Sequence, residues 1–384
     1  MPRSAANSRA PKVGKAKPGA AKARDLLPTH TDRLTAARDS YPNTGLYAEL
    51  HLHLGGAILP NILYHHMQRD NHPLLKRYPT FQRFERFFTQ RRSNLNDYLK
   101  MHKLVESLQR PAEEHLFYYV TRLVRGAYLF DNLAYMELRH TPYNRTDPEL
   151  EQSRRIDQMR SIIELIAAAA MSQTRYPLVL RQILCMHTEL PFEVNLAIIK
   201  LAAAPELRNF VCAIDLAGPN HLYTPRIDQW VKLFKLAKSL GLRTTAHLYE
   251  TDTGCEPKLL PYLDRIGHGV QIPLRYPKLL KAVAKRGQCL EICPTTYLRT
   301  GTLKDYTDLR PIFKQCGDAG VDVAICTDNA GLHNLRLPAE MENLLVRDVI
   351  DVDQLAGCLK ASFKHAFAWN GPMPEPLRRL TLPH

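Results

Sequence analysis

From Tyr47 onward, short apolar and β-branched runs alternate with longer stretches of helical periodicity, and no other feature limits the possible folds as much. The candidate strands are 48–52, 133–139, 182–187, 211–216, 243–247, 265–268, 289–292 and 323–327. Helical periodicity marks 154–171, 192–203 and 227–240 between them. Eight strands alternating with helices predict an α/β chain, a (β/α)8 TIM-type barrel. The runs are almost continuously apolar, as parallel strands covered by helices should be. A doubly wound open sheet would give a similar pattern and is the structural alternative.

Two segments fall outside this alternation. Residues 54–132 are too long for a simple crossover and carry Phe81, Phe84, Phe87 and Phe88 at helical spacing. They predict a helical insertion after the first strand, a hairpin with its own apolar face that roofs the barrel mouth. At the start, residues 1–24 hold seven Lys and Arg and no acid, half of the net charge of +14. With Ala, Pro, Lys and Ser in excess and no apolar stripe, residues 1–30 read as a disordered basic tail. Residues 31–384 then form a single barrel domain.

Barrel enzymes place their chemistry at the C-terminal ends of strands. The first strand ends in Glu49-Leu50-His51-Leu52-His53, so two imidazoles share one face by the period of two. The fifth ends in Ala246-His247-Leu248-Tyr249-Glu250, the sixth in Gly267-His268-Gly269, and the eighth in Thr327-Asp328-Asn329. Buried imidazole and carboxylate are costly unless paired or metal-bound. His51, His53, His247 and Asp328 therefore read as a divalent metal site, with zinc the expected ion at one per chain.

The series ELHLHLGGAI, ELRHTP, IDLAG, AHLYE, DRIGHG, CPTTYLRTG and CTDN, spread over residues 46–335, resembles the motif order of the adenosine deaminase family. That resemblance implies a zinc-dependent (β/α)8 aminohydrolase that converts an adenine nucleoside to an inosine-type product and ammonia. It implies that His51, His53, His247 and Asp328 hold the metal, that Glu250 protonates the ring nitrogen, and that His268 positions and deprotonates the attacking water. Gly218 matches the glycine whose backbone N–H meets the purine. The chemistry is coherent: hydration of an aromatic carbon needs a nucleophile available near neutral pH, and zinc lowers the pKa of its water to about 7. Glu250 must hold a proton, which burial favours, and glycine at 218 lets the ring approach the backbone.

The pattern departs from the family at three positions. Many members carry Asp after HxHL, where it binds the ribose 5′-hydroxyl; here the position is Gly55. The sugar is then held differently, or the substrate carries a 5′-phosphate, which an Asp would repel. HLYE and ELRHTP also resemble the HLSE and ELRSTP of the branch that deaminates N6-methyl-AMP, so AMP and N6-methyl-AMP stand as alternative substrates. Asn329 replaces a common Asp, and its amide can still donate to purine N7. Tyr297 replaces a common Asn.

Other signals are weak. His187-Thr188-Glu189 matches half of the cytidine deaminase signature, but no PCxxC accompanies it. His187 reads instead as pocket lining, Asp215 as a partner of neighbouring strand ends, and His65 and His66 as surface residues. No Walker A loop, GxGxxG turn or GxSxG elbow is present. The eight cysteines form no CxxC pair and suit a reducing compartment, here the cytoplasm. The expected partner is a small-molecule purine nucleoside or nucleotide, with no specific nucleic acid and no membrane span. Two other classes compete: a different metal hydrolase on the same barrel, and a non-catalytic protein that binds nucleic acid through its basic tail.

Overall fold

A computed structural model describes residues 44–109 and 113–379, so the tail expected over 1–30 lies outside the described residues. Its parallel strands are β1 Tyr47–His53, β2 Leu133–His140, β3 Val179–His187, β4 Val211–Ala217, β5 Arg243–Thr244, β6 His247–Leu248, β7 Arg265–His268, β8 Cys289–Ile292 and β9 Val323–Ile325. They pair in chain order as two ladders, β1 to β5 and β6 to β9. The fifth predicted strand appears as two pieces. Thr244 pairs with Ile214 of β4 and His247 with Gly267 of β7, so the segment swings from one neighbour to the other. At the opposite seam Leu52 bridges to Asp328, with His53 N donating to Asp328 O and Asp328 N to His51 O, both at 2.7 Å. The result is the TIM-type barrel expected from the alternation.

The predicted helices appear at Gln152–Met171, Phe192–Ala202 and Ile227–Ser239. Each buries an apolar stripe on the strands, with Ile162, Ile163 and Ile166 in the first and Trp230, Leu233 and Phe234 in the third. The insertion is larger than a hairpin: helices occupy Leu54–Ala57, Pro60–Arg69, Phe81–Thr89, Leu95–Leu108 and Glu113–Asp131. Phe84 and Phe88 point inward and pack on each other at 5.4 Å between ring centroids. His65 is exposed, as a surface histidine should be, but His66 is buried and its Nδ1 lies 2.9 Å from Tyr119 Oη. The apolar face of that helix has claimed the second imidazole, and Tyr119 supplies a phenol for it.

The barrel interior is not the plain hydrocarbon filling that continuously apolar strands imply. Glu137 and Arg139 on β2, Asp215 on β4, Arg265 on β7 and Glu291 on β8 are all fully buried. Arg265 pairs with Glu137, and its Nε donates to Glu291 Oε1 at 2.6 Å; Arg139 Nη2 donates to Glu291 Oε2 at 2.9 Å. Glu137 also accepts from Tyr135 Oη and from Phe367 N. Glu49 ties the seam, taking bonds from His51 N and from both N and Oγ1 of Thr327. The charges of Glu137, Arg139, Asp215, Arg265 and Glu291 are tolerated there because each is paired with an opposite charge. Removing one partner leaves a buried charge, which costs about 3–5 kcal/mol. Arg265→Met should lower unfolding stability by about that amount in urea titration; a loss below about 1 kcal/mol would show that the network is dispensable.

Candidate metal and catalytic site

β1 ends with two imidazoles on one face, and β6, β7 and the segment after β9 bring His247, His268 and Asp328 to the same mouth. Ligand atoms of His51, His53 and His247 lie within 4.8 Å of one another, as do those of His51, His268 and Asp328. His53 Nε2 is 3.0 Å from His247 Nε2 and 3.4 Å from Asp328 Oδ1; His51 Nε2 is 3.7 Å from the same oxygen. The backbone bends sharply to achieve this. Tyr249, His268 and Asp328 have φ of +56°, +65° and +60°, values that L residues rarely adopt and that the surrounding structure must enforce.

The other ring nitrogens explain why these imidazoles face inward. His51 Nδ1 lies 2.7 Å from Glu291 Oε2, and His247 Nδ1 3.1 Å from Asp215 Oδ2. A neutral imidazole that donates through Nδ1 presents a lone pair at Nε2, the form a metal takes. Burial, with Arg139 nearby, pushes His51 down to about 4, and burial holds His53 and His268 well below the usual range. For His247 burial works the same way, but the Asp215 carboxylate outweighs it and raises the group. Burial also opposes the charge on Asp215, yet His247 and Arg139 together hold it low. His51 Nε2 is buried with no hydrogen-bond partner among the described residues. An unsatisfied buried acceptor is costly, and here it points at two imidazoles and a carboxylate. This donor set fits a divalent cation held by nitrogen and oxygen.

Around the cluster lies a cleft of about 810 Å³ including its mouth. Glu250, Gly218, Asn329 and Gly55 all line it. Burial, with Asp328 nearby, raises Glu250 to about 8, and its Oε2 is 3.7 Å from His268 Nε2. Tyr297 Oη accepts from Cys293 N at 3.0 Å and lies 3.3 Å from His268 Nδ1, fixing the ring. Gly218 has φ of +110°, and a Cβ there would meet His187 Cε1 at 2.9 Å, so only glycine leaves this wall open. Asn329 Nδ2 donates to Asp328 Oδ1 at 2.7 Å, and its Oδ1 rests against Gly56. One N–H of that amide therefore braces the Asp328 carboxylate, in a side chain that also lines the cleft.

Several lining residues are not evident from the sequence. The helix Leu95–Leu108 presents Leu95, Tyr98, Leu99, His102, Lys103 and Glu106 to the cleft, and Thr296 Oγ1 donates to Asp328 Oδ2 at 2.8 Å. The available signal is the recurrence of these positions every three or four residues on one helical face. The sequence assigns the roof to the insertion as a whole; within it the helix Leu95–Leu108 lines the cleft, while the Phe81 aromatics pack among themselves and on Tyr64. His187 lines the cleft, and Asp215 holds a neighbouring strand end, as their positions in the sequence imply.

The family model described as adenosine deaminase matches residues 47–371. An adenosine deaminase of Clostridium acetobutylicum is 26% identical over 326 residues, covering 83% of this chain and 92% of that protein. Among solved structures, an amidohydrolase from Burkholderia ambifaria with bound zinc superposes with a TM-score of 0.70 at 19% identity, covering 89% of each chain. The N6-methyl-AMP deaminase of Arabidopsis thaliana superposes with a TM-score of 0.68 at 22% identity, covering 88% of this chain and 96% of that one.

The convergence of nitrogens makes two variants informative. His247→Ala should empty the site of metal, and Asp215→Asn should weaken binding by about 10–100-fold while leaving every ligand in place. Zinc content after dialysis against graded chelator measures both. Full retention by His247→Ala would place the metal elsewhere.

Proposed function

The chain belongs to the adenosine deaminase family, and from that premise we propose that it is a zinc-dependent aminohydrolase that deaminates an adenine nucleoside, releasing ammonia and an inosine-type product. The observation that carries this reading is the orphaned Nε2 of His51, set among His53, His247 and Asp328 beside a carboxyl with a raised pKa. Imidazole and carboxylate donors suit zinc and neighbouring transition metals rather than magnesium or calcium, and zinc is the ion bound in the Burkholderia structure. A bound zinc would supply a nucleophile near neutral pH by acidifying water.

The remaining work falls to the chain's own groups. Glu250, protonated below about pH 8, is suited to give its proton to the ring nitrogen as aromaticity breaks. With His268 Nδ1–H donating to Tyr297 Oη, the Nε2 lone pair is open to take a proton from the attacking water. The backbone at Gly218 lets a flat ring lie close, and Tyr98 and Leu99 give the cleft apolar lining for it. We read residues 31–384 as one deaminase domain. No helix among the described residues is long and apolar enough to cross a membrane. All eight cysteines are free, which suits the cytoplasm.

Ammonia release from zinc-loaded protein with adenosine tests the reading. Glu250→Gln should keep its metal and lose about 10²–10⁴-fold in turnover. A carboxyl that must be protonated loses function as pH rises, so wild-type kcat/KM should fall above about pH 8. Normal rates in Glu250→Gln would sink the assigned role.

A further inference from the structure

We propose that Glu106 reads the sugar of the substrate: its carboxylate accepts hydrogen bonds from ribose hydroxyls and turns away a 5′-phosphate, making the chain selective for nucleosides over nucleotides. This rests on the deaminase reading of the same cleft.

The geometry begins at Gly55. A Cβ there would meet His102 Cε1 at 2.8 Å and Glu106 Cγ at 3.1 Å, so the absent side chain is what lets the helix Leu95–Leu108 settle against the end of β1. His102 sits against the metal cluster, its ring centroid 5.4 Å from that of His53. Glu106 follows four residues later, about 6 Å further along the helix. The carboxylate thus lies in the same cleft as the cluster but beyond its first neighbour, where the part of a nucleoside distal to the reacting carbon would reach.

The partners of Glu106 favour hydroxyls over phosphate. Burial opposes its charge, but Arg145, His102 and His187 outweigh that and keep the carboxyl below its ordinary range. Asn144 Nδ2 donates to Oε2 at 3.1 Å and Arg145 Nη1 to Oε1 at 3.4 Å. Those bonds use two of about four acceptor positions, and the remainder can only take donors. A ribose hydroxyl is a donor; a phosphate dianion is not. The nearby buried cations are committed as well: Arg139 pairs with Glu291 and Asp215, and Arg145 with Glu106 itself, while Lys103, more exposed, makes a surface pair with Glu189 at 2.6 Å. A phosphate here would face a buried like charge, and the cations beside it already serve carboxylates of the chain. His102 Nε2, buried and without a hydrogen-bond partner among the described residues, offers a further polar atom on the same wall.

The test is a steady-state comparison of adenosine and AMP on the zinc-loaded full chain and on Glu106→Gln. Wild type should favour adenosine by roughly 100-fold or more in kcat/KM. Glu106→Gln should lose roughly 10–100-fold on adenosine, carried mainly by KM, while its AMP-to-adenosine ratio rises at least roughly tenfold. Wild type that uses AMP as well as adenosine overturns the inference, and so does an unchanged ratio in the variant. The same comparison runs without turnover by calorimetry with inosine and IMP. Inosine preferred by wild type, with the preference lost in Glu106→Gln, supports the assignment; IMP bound equally well or better overturns it. Absence of ammonia from either substrate, with inosine still preferred, would overturn the deaminase reading alone, and binding of neither would overturn both. Circular dichroism and zinc content report folding. Should Glu106→Gln fail there, Glu106→Asp draws the carboxylate back by one methylene and should keep rejecting AMP while its KM for adenosine rises; a variant that accepts AMP with an unchanged adenosine KM overturns the inference.

Discussion

The 2.7 Å bond between His51 Nδ1 and Glu291 Oε2 fixes which nitrogen of His51 carries the proton, and much of the structure is arranged around it. With that proton on Nδ1, Nε2 is an acceptor facing the barrel axis. For Glu291 to be ionised in a fully buried position it needs cations, and Arg139 and Arg265 supply them on its two oxygens. Burial opposes the charge on Glu291, and the two guanidinium groups hold its pKa well below the ordinary range. Arg265 in turn requires Glu137, which recruits Tyr135 and the backbone of Phe367. The floor of the barrel is a chain of obligations that starts at one imidazole facing the barrel axis.

This explains why the barrel tolerates so much charge in its core. Isolated, each ion would cost several kcal/mol of desolvation; joined, they lock the side chains that lock the imidazoles. The same logic covers the strained backbone. Positive φ at Tyr249, His268 and Asp328 carries a cost on the order of 1–3 kcal/mol per residue. The bonds from Thr296 and Asn329 to Asp328, and between His268 and Tyr297, hold the turns at Asp328 and His268 in place. Strain of this kind persists at a site because the neighbours over-determine it.

How much of this is legible in the sequence depends on whether the information is local. Strand ends are legible because period-two alternation and a following polar residue are local signals, so His51, His53, His247, Glu250, His268 and Asp328 group together from the residues alone. The break between Thr244 and His247 is not legible, since it arises where one segment must satisfy two neighbours in turn. Arg139, Arg265, Glu137 and Glu291 are visible as charged letters inside apolar runs. Their pairing is hidden because the partners lie on strands far apart in the chain. The roof falls within the expected insertion, but which of its helices lines the cleft is hidden: the Phe81–Thr89 helix has the stronger apolar pattern, and that pattern is spent on its own packing. The helix that lines the cleft has a mixed face, which reads as ordinary surface until the barrel mouth is set beneath it.

Gly55 shows how the two levels combine. As a letter it signifies a missing carboxylate, and the charge argument then leans towards a phosphorylated substrate. In space the glycine leaves room at Cβ that His102 and Glu106 occupy, so the negative charge is relocated to a helix rather than lost. A substitution at a strand end therefore cannot be interpreted from the strand alone when an inserted helix packs over it. Electrostatic selectivity belongs to the cleft as a whole, and here the cations around it are bound to carboxylates of the protein itself. The loss of an acid at the strand end and the presence of another on the helix that covers it are two aspects of one packing arrangement, in which local choices agree with the global fold.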